Sequence, residues 1–353
     1  MNARLPVAVL AATGSVGQRF VQLLDGHPRF EVVALTGSDR SIGQTYQAAC
    51  HWILPEAMPE WAKSMVIAPT EPGPAMKGAR LAFSALPADV AREAEPAYAR
   101  AGLMVCSNAS TYRQEPDVPI LFPEVNPEQA SIVPVQRRLR GWPGAIVTNS
   151  NCTSAGLTVA LKALQDAFGL SRAFVVSLQA ISGAGYPGVA SLDIIDNVIP
   201  YIGGNEESKV EFEPRKMLGR VSGDAIVPAD FRISAHTNRV AVSDGHLVCL
   251  SVELQRRAVV EDVAQALAGY QAPAISRDLP SAPRPPIVLR SEVDRPQPRL
   301  DRWTGKGMTT VVGRLRPDPL FDFKMVILSH NTVRGAAGGS LYNAELLDAL
   351  GLV

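Results

Sequence analysis

The 353-residue sequence predicts an α/β fold, in which a doubly wound parallel sheet is followed by an α+β domain with a mixed sheet. Three observations support this prediction. Short apolar runs alternate with amphipathic segments in the first half of the chain. A glycine-containing segment separates the first apolar run from the first amphipathic segment. Longer apolar runs follow residue 145, and a turn-forming Asp-Gly pair lies between two of them.

The first half of the chain carries the elements of a parallel sheet. Residues 7–10 form a short apolar run, residues 11–17 contain two glycines, and apolar side chains then recur at helical spacing. Further strands are predicted at residues 31–35 and 81–83. Because strands and helices alternate at this length, we predict a doubly wound sheet of the Rossmann type.

The second half has longer apolar runs. Strands are predicted at residues 174–178, 238–242 and 247–254. The pair Asp244-Gly245 lies between the last two strands and is a turn signal, so we predict a mixed or antiparallel sheet. Residues 272–286 are rich in proline and serine and predict a surface loop.

The predicted domain boundaries follow this change of pattern. Residues 1–148 form the predicted first domain, and residues 149–329 form the second. The last segment begins with glycine and alanine and continues with leucines on a helical pattern. We expect this C-terminal helix, within residues 330–353, to return to the first domain and complete it.

Composition excludes several classes of function. Lysine plus arginine and aspartate plus glutamate both number 34, and no block of like charges interrupts the sequence. This balance provides no electrostatic footprint for nucleic acid or for a membrane surface. The first apolar run is too short for a secretory signal or a membrane span, so we predict a cytoplasmic protein with a small-molecule substrate.

The first glycine-containing segment is a candidate nucleotide site. A glycine-rich turn between a strand and a helix lets a pyrophosphate approach backbone N–H groups at the positive helix end. The residues that fit this role are Thr13, Gly14, Ser15, Val16 and Gly17. Ala11 occupies the position of the usual first glycine, and we expect it to hold the turn with a negative φ.

The end of the second strand indicates which dinucleotide binds. An acidic residue there selects NAD, whereas an arginine accepts the 2′-phosphate of NADP. Ser38, Arg40 and Ser41 can hold a phosphate, with Arg40 supplying the charge, while Asp39 is a feature of NAD sites. We predict NADP as the cofactor; the alternative is that these residues form a solvated turn.

The four cysteines predict free thiols, since they lie far apart without C-x-x-C spacing or a histidine at metal-ligand spacing. Cys152 follows a predicted strand and precedes apolar residues at helical spacing, which places its sulfur at a helix N-terminus. The helix dipole and free N–H groups stabilise a thiolate there, so we expect a nucleophile with a pKa below about 8.5. The alternative is a small apolar residue beside a helix cap.

A cysteine nucleophile needs a proton carrier, and histidine titrates near neutral pH. Of the five histidines, His246 is best placed, because it follows the Asp244-Gly245 turn of the second domain. His236 lies on the same segment and stays open as an alternative.

Anionic substrates need cations, and Arg113, Lys209 and Arg239 stand in polar sequence near the proposed site. A guanidinium can orient a carboxylate through two hydrogen bonds, and an ammonium or a second guanidinium can hold phosphate. The alternative for each is a solvated surface charge.

Ten ordered segments carry a family resemblance. They are residues 13–17, 38–41 (SDRS), 84–87, 107–113 (SNASTYR), 151–152 (NC), 179–188 (QAISGAGYPG), 196–200 (DNVIP), 238–246 (NRVAVSDGH), 294–302 (DRPQPRLDR) and 330–338 (HNTVRGAAG). Over nearly the whole chain they resemble the aspartate-semialdehyde dehydrogenase family, in the branch typical of archaea and fungi. The departures are Ala11, Ser150 where proline usually precedes Asn-Cys, and the pair His236-Thr237.

The resemblance implies a role for each matching residue. Cys152 is implied as the nucleophile, His246 as the general acid/base, and Gln179 as an amide that orients the substrate. The implied substrate contacts are Arg239 to the carboxylate, Glu206 to the amino group, and Arg113 with Lys209 to phosphate. For NADP they are the 13–17 loop, Ser38, Arg40 and Ser41 at the 2′-phosphate, Ser84, Ala85, Ser182 and Gly183 near the nicotinamide, and Asn331 with the Gly335 region closing over it.

The implied reaction is reduction of L-aspartyl 4-phosphate by NADPH to L-aspartate 4-semialdehyde through a thioester on Cys152. In the family the product feeds lysine, by way of diaminopimelate, and methionine and threonine. The implied second domain is catalytic and dimerises, giving a homodimer or homotetramer.

Three other functions stay open on the sequence. Malonyl-CoA or succinyl-CoA reductases use the same cysteine and histidine, but a malonyl group has no amine for Glu206 to contact. N-acetyl-glutamyl-phosphate reductase shares the chemistry, although the late segments fit it poorly. A non-catalytic NADP-binding redox sensor would lose the nucleophile or the base, whereas Cys152 and His246 are both present.

Overall fold

The first sheet is parallel and six-stranded, in a computed structural model that describes residues 4–353. Residues 1–3 of the predicted first domain lie outside the described residues. The strand order β3-β2-β1-β4-β5-β6 is that of dinucleotide-binding doubly wound sheets. The strands are β1 (Leu5–Leu10), β2 (Phe30–Thr36), β3 (Ile67–Ala68), β4 (Leu81–Ser84), β5 (Met104–Ser107) and β6 (Ala145–Thr148).

Helices pack on this sheet because its central strands are apolar on both faces. All residues of β4, β5 and β6 are buried, which is typical of parallel sheets covered by helices. The predicted strands of the first half are confirmed. The helices are α1 (Ser15–Leu23), α2 (Tyr46–Ala49), α3 (Glu60–Lys63), α4 (Ala88–Arg100) and α5 (Val133–Arg140).

The second sheet is mixed and seven-stranded, which confirms the predicted fold class. Its order is β13-β14-β15-β12-β7-β11-β8, with β7 and β11 parallel and β12 antiparallel to β7. Its strands are β7 (Leu170–Gln179), β8 (Ile199–Pro200), β11 (Arg232–Arg239), β12 (His246–Leu254), β13 (Ile287–Leu289), β14 (Thr310–Pro317) and β15 (Phe323–Ser329), while β9 (Arg220–Ser222) and β10 (Ala225–Val227) form a separate hairpin. The helices are α6 (Cys152–Phe168), α7 (Ser191–Ile194), α8 (Glu206–Met217), α9 (Val260–Ala268), α10 (Ala274–Arg277), α11 (Pro298–Asp301) and α12 (Gly338–Ala349).

Three details of the second half were not predicted. The strand predicted at residues 238–242 is β11, which ends at Arg239, so its last three predicted residues are irregular. The Asp244-Gly245 turn does not form a hairpin, because β7 lies between β11 and β12 in the sheet. The predicted surface loop at residues 272–286 contains the short helix α10.

The C-terminal helix α12 is buried among residues of the first sheet's core. Leu341, Leu346 and Leu347 belong to the hydrophobic cluster that also contains Val9 and Phe83. The domain boundaries predicted at residues 148 and 330 stay a prediction. No helix within residues 4–353 is long and apolar enough to cross a membrane.

A buried ion pair fixes the segment that leads into α12. The guanidinium of Arg334 donates from Nε to Oε1 of Glu124 at 2.9 Å and from Nη2 to Oε2 at 2.5 Å. Both side chains are almost fully buried, and the guanidinium lies 3.4 Å from the centre of the Phe122 ring. A bidentate pair in this setting holds both of its segments in place.

We predict that Arg334→Met lowers the free energy of unfolding by about 3–5 kcal/mol, because it leaves the Glu124 carboxylate buried without its cation. Urea unfolding of the two proteins measures the difference. Arg138→Met is the matched control, since Arg138 pairs with Asp224 on the surface and its loss should cost about 1 kcal/mol or less. Equal losses in the two variants would contradict the prediction.

Candidate active site

The two sheets meet at the edges where their parallel strands end. Gln179 ends β7 and pairs in register with Arg239, which ends the parallel strand β11. Because β12 runs antiparallel to β7, its first residue, His246, lies at the same edge. Cys152 reaches this edge from the first sheet, since α6 begins just after β6. The fold therefore brings together side chains that are far apart in sequence.

A cavity of about 560 Å³ occupies this junction. It contains all three predicted cations of the substrate site and the predicted nucleophile. Residues that line it include Ser15, Val16, Asn108, Arg113, Asn151, Cys152, Gln179, Ser182, Gly183, Glu206, Lys209, Arg239, Asn331 and Gly335. His246 is only 1 % exposed and lies behind Cys152.

Cys152 is the first residue of α6, and Asn151 is the N-cap of this helix. The Asn151 Oδ1 atom accepts from the N–H groups of Thr153, at 2.9 Å, and Ser154, at 3.3 Å. The Cys152 Sγ atom lies 3.1 Å from Nε2 of His246. The predicted position of the thiol and its proximity to His246 are therefore present in the structure.

The environment of Cys152 differs from the expected one. Burial raises the pKa of the thiol to about 12, and the Glu206 carboxylate adds to this shift. Arg113, Arg239 and the backbone N–H group of Cys152 act in the opposite direction. The expectation of a pKa below its usual value is wrong for this arrangement, because desolvation of the thiolate outweighs the helix N-terminus.

The hydrogen bonds of His246 define its tautomer. The backbone N–H of Ala180 donates to Nδ1 at 3.0 Å, so a neutral ring carries its proton on Nε2, the atom that faces Cys152. Burial lowers the pKa of His246 to about 3, and the charge of Arg239 adds to this effect. His246 is therefore neutral at physiological pH and directs an N–H group at the sulfur.

The alternative proton carrier, His236, lies outside the cavity. It is exposed on β11, and its ring packs edge-on against Phe174 at 5.7 Å between ring centres. The spacing along the sequence did not separate His236 from His246. The alternation of side chains along β11 does, because Arg239 and His236 are three residues apart and lie on opposite faces of the sheet.

The polar residues of the cavity form one network. Glu206 accepts from Asn151 Nδ2 at 2.6 Å and from Gln179 Nε2 at 3.3 Å, and its other oxygen lies 3.4 Å from Nζ of Lys209. Arg239 donates from Nη1 to the backbone oxygen of Ala180 at 2.7 Å. Carboxylate, amide and ammonium groups therefore face the cavity beside the thiol.

Arg113 is nearly buried, and protein groups hold its guanidinium. Nη1 donates to Oε1 of Glu213 at 2.9 Å, and Nη2 donates to the backbone oxygen of Asn108 at 2.7 Å. Within residues 4–353 its Nε atom has no hydrogen-bond partner, although it is buried. Because Arg113 also lines the cavity, its guanidinium provides positive charge for a bound anion.

Asn331 joins two segments at the mouth of the cavity. Its Nδ2 donates to Oγ of Ser182 at 2.8 Å, and its Oδ1 accepts from the N–H of Gly245 at 2.8 Å. Gly183 follows directly, and a Cβ atom there would lie 2.7 Å from Nη1 of Arg239. A side chain at position 183 would therefore displace the Arg239 guanidinium.

The loop before α1 has the backbone expected of a pyrophosphate site. Gly14 is the N-cap of α1, no side chain caps the helix, and its first turn has no acidic residue. A Cβ atom at Gly17 would collide with the backbone of Ala11 and Ala12. Free N–H groups, a positive helix end and close backbone packing are the features that a phosphate needs.

Ala11 differs from the expectation of a negative φ. Its φ is +56°, in the left-handed region that favours glycine. Hydrogen bonds hold it there: its N–H donates to Oγ1 of Thr36 at 3.2 Å, and the next N–H donates to the Thr36 backbone oxygen at 2.8 Å. The turn thus has the conformation of the usual glycine turn, although an alanine occupies it.

The residues predicted at the 2′-phosphate lie together after β2. Ser38 and Arg40 are exposed, Ser41 is buried, and the two serine hydroxyls are 3.5 Å apart. Asp39 is also exposed. The Arg40 side chain is therefore accessible to a ligand at the end of the strand.

Ser84 does not offer its side chain to a nicotinamide. It is fully buried, and its hydroxyl donates to Oε1 of Glu95 at 2.7 Å. The same carboxylate oxygen accepts from Ser107 at 2.6 Å, so Glu95 ties the ends of β4 and β5 together. Contacts of Ser84 with a cofactor are limited to its backbone, while its neighbour Ala85 is partly exposed.

The sequence prediction missed several residues that organise this site. Asn108, Asn151 and Glu213 hold its charged groups, and a Cβ atom at Gly335 would lie 2.8 Å from Cβ of Cys152. The spacing of Glu213, seven residues after Glu206, could have indicated it, since such residues share a helix face. Within residues 4–353 no cluster of metal-ligating side chains could hold a metal ion.

Two protein families match the chain. The family described as "Semialdehyde dehydrogenase, NAD binding domain" matches residues 6–132, and "Semialdehyde dehydrogenase, dimerisation domain" matches residues 161–334. A solved structure of aspartate semialdehyde dehydrogenase with NADP from Candida albicans superposes with a TM-score of 0.91 at 43 % identity, covering 99 % of this chain and 100 % of that one.

Curated relatives extend over the same length. Aspartate-semialdehyde dehydrogenase from Archaeoglobus fulgidus is 49 % identical, over 98 % of this chain and 98 % of its own. The Schizosaccharomyces pombe enzyme is 46 % identical, over 98 % of this chain and 99 % of its own. Archaeal and fungal relatives thus match at similar levels, as the ordered segments predicted. From this agreement in sequence and fold, the chain belongs to the aspartate-semialdehyde dehydrogenase family.

Proposed function

We infer that this protein is an NADP-dependent aspartate-semialdehyde dehydrogenase, which converts L-aspartyl 4-phosphate to L-aspartate 4-semialdehyde and phosphate in lysine, methionine and threonine biosynthesis. The observation that carries the proposal is the 3.1 Å contact between Cys152 Sγ and His246 Nε2 in a cavity with three cations. A nucleophile, a proton donor and anion-binding groups are what reduction of an acyl phosphate requires.

The proposed cofactor is NADP, as in the Candida albicans structure. The free amides at the start of α1 suit its pyrophosphate, and Ser38, Arg40 and Ser41 suit its 2′-phosphate. When bound, the reduced cofactor supplies hydride. Ala85, Ser182, Gly183 and Asn331 would surround the nicotinamide, with Ser84 contributing its backbone.

The charged groups of the cavity match the charged groups of the proposed substrate. Arg239 would bind the α-carboxylate, Glu206 the α-ammonium, and Arg113 with Lys209 the phosphate. Glu206 supports an amino-acid substrate, because it is largely buried and lines the cavity, where an ammonium could replace the 3.4 Å contact of Lys209. An acyl group without an amine would gain no contact with this carboxylate.

The chain's own residues would then carry the reaction. Cys152 Sγ bonds to the acyl carbon, and the bond to the phosphate oxygen breaks. The thiol proton leaves on the phosphate, which departs beside Arg113, and a thioester remains. Gln179 orients the thioester. After hydride addition, the N–H on Nε2 of His246 stabilises the oxyanion of the hemithioacetal. As the carbonyl re-forms and the carbon–sulfur bond breaks, this proton passes to Sγ, a proton from water replaces it on Nε2, and the aldehyde departs.

We predict that purified protein reduces NADP⁺ with aspartate semialdehyde only when phosphate is present, and that NADPH with malonyl-CoA gives no turnover. Absorbance of NADPH measures both. Cys152→Ser should lower activity by more than about tenfold and leave NADP⁺ binding unchanged, since serine is a weaker nucleophile at this pH. Turnover with malonyl-CoA alone would instead identify a CoA-thioester reductase, and NADP⁺ binding without turnover on either substrate would identify a redox sensor.

We predict that His246 stays neutral, with its proton on Nε2, between about pH 5 and pH 8, because its pKa of about 3 lies well below the usual value of about 6.5. Protonation would begin only as the pH falls toward 3, so kcat should show no inflection from this imidazole near pH 6.5. Nitrogen NMR of histidine-labelled protein measures the tautomer, and His246→Asn assigns the signal. A second proton on this ring at pH 6 would contradict the prediction.

We propose that the protein is a homodimer or homotetramer and acts in the cytoplasm. The second sheet supports self-association, because helices cover one face while Phe174, Val176, Leu178 and Leu247 remain half-exposed on the other. The segment at residues 186–201 adds exposed apolar side chains, including Leu192 at 91 % exposure. Burying such a surface against a second copy is favourable.

We predict a mass of two or four chains by light scattering of the purified protein. Val176→Asp in the half-exposed face should shift this mass toward one chain, because association would bury the carboxylate. Leu139→Asp is the control, since Leu139 is exposed on α5, away from the second sheet. A monomeric wild-type protein would rule out the proposal.

A further inference from the structure

One face of α8 carries four charged residues, Glu206, Lys209, Glu213 and Lys216. They are three, four and three residues apart, so they share one side of the helix. Glu206 and Lys209 line the cavity, whereas Glu213 and Lys216 are buried behind it. The buried pair takes no part in the proposed chemistry and still contacts the segments that do.

Glu213 uses both carboxylate oxygens on the active site. Oε1 accepts from Nη1 of Arg113 at 2.9 Å, and Oε2 accepts from the backbone N–H of Asn151. The side chain is 2 % exposed, so these two donors provide the hydrogen bonds that water would otherwise make to the carboxylate. Burial raises the pKa of Glu213, and the charge of Arg113 and the Asn151 amide lower it. The carboxylate thus lies between the phosphate site and the residue preceding the nucleophile.

The second carboxylate of α8 contacts Asn151 as well. Asn151 Nδ2 donates to Glu206 at 2.6 Å, while Oδ1 caps the first turn of α6. The backbone and the side chain of this residue are therefore both fixed to α8. Because Cys152 is the next residue, a displacement of α8 moves the sulfur.

Lys216 fixes the segment that carries Arg113. Its Nζ atom donates to the backbone oxygens of Arg113, Glu115 and Val118 at 2.7, 2.6 and 2.7 Å. All three hydrogens of the ammonium group are used, and the side chain is 1 % exposed. Both the backbone and the guanidinium of Arg113 are thus attached to α8.

We propose that Glu213 is a positioning residue, which couples occupation of the phosphate site to the alignment of Cys152. The proposal rests on the proposed function, since it takes Arg113 as a phosphate ligand. Glu213 and the backbone oxygen of Asn108 fix the orientation of the guanidinium at the wall of the cavity, where the anion would bind. Through Asn151 the same carboxylate sets the start of α6.

Glu213→Gln tests the proposal with little change in shape. A glutamine offers one acceptor oxygen, so its NH₂ group must face either Arg113 or the Asn151 amide, and one buried donor loses its partner. We expect the KM for phosphate to rise by about ten- to hundredfold, the usual effect of a lost hydrogen bond to a charged group. The KM for NADP⁺ should change by less than about twofold, since the hydrogen bonds of Glu213 go to Arg113 and Asn151 and not to the α1 loop.

The matched control is Glu211→Gln on the same helix. Glu211 accepts from the backbone N–H of Ala235 at 3.0 Å, on the side of α8 that faces β11. The Glu211→Gln variant loses the same charge as Glu213→Gln and keeps one acceptor oxygen. It should therefore leave the KM for phosphate and the KM for NADP⁺ unchanged. Where Glu213→Gln fails to fold, Glu213→Asp retains the charge but is too short to reach both donors, and its KM for phosphate should rise in the same direction.

A second measurement does not depend on turnover. Phosphate should protect Cys152 from iodoacetamide, and the concentration for half protection should rise in Glu213→Gln as KM does. A further variant, Arg113→Ala, should remove most of the effect of Glu213→Gln on protection, because Glu213 acts through Arg113.

The outcomes separate the two proposals. An active wild-type enzyme whose Glu213→Gln variant keeps a normal phosphate KM would overturn the positioning role. A parallel loss for phosphate and NADP⁺, with a lowered midpoint of thermal unfolding, would also overturn it in favour of a purely structural role. A wild-type protein without phosphate-dependent turnover would instead overturn the proposed function.

Discussion

The position of Cys152 depends on the hydrogen bonds of Asn151. This residue caps α6 with its side-chain oxygen, donates its amide nitrogen to Glu206, and donates its backbone N–H to Glu213. An N-cap is ordinarily a local device that satisfies the first amides of a helix. Here it also joins the first sheet, from which α6 departs, to a helix of the second half of the chain. The nucleophile is thus fixed by tertiary contacts as much as by its helix.

Electrostatic balance in the cavity follows from the same arrangement. Three cations, Arg113, Lys209 and Arg239, line the cavity together with the Glu206 carboxylate. A second carboxylate, Glu213, is buried behind Arg113. Each carboxylate already has a cation or an amide as its partner, so the charges are compensated before a ligand arrives. A substrate with both charges can exchange partners with this network instead of meeting an isolated buried ion. This exchange favours a zwitterionic acyl group over a simple anion.

Local patterns were sufficient to predict much of the fold. The apolar runs around β1, β4 and β12 were found because buried strands leave a continuous or alternating signal, and the helix after Cys152 was found from its leucine spacing. The Asp244-Gly245 turn correctly indicated a mixed sheet, but a turn indicates a reversal of the chain and not which strands pair. The left-handed Ala11 was missed for a related reason, since its conformation is held by Thr36, on another strand.

The site was predicted in part, and its supporting residues were not. Cys152 and His246 could be proposed because each residue type has a recognisable chemistry. Glu213, Asn151 and Glu95 act through partners far away in sequence, so that even where a local pattern marks the residue, as the helical spacing marks Glu213, the pattern does not identify the partner. The pKa of Cys152 was mispredicted for a similar reason. The sequence indicates that a helix begins at this residue, but it does not show that the folded chain buries the thiol.

The contact between Gly335 and Cys152 determines when the active site can form during translation. Gly335 packs against the nucleophile, and Arg334 beside it inserts between Phe122 and Glu124. The active site therefore cannot assemble on the ribosome until nearly the whole chain has emerged, even though Cys152 precedes the midpoint of the sequence. Contacts of such large sequence separation form late and slowly in folding. Until then the reactive thiol is exposed, and a nascent chain is more vulnerable to oxidation than the finished enzyme.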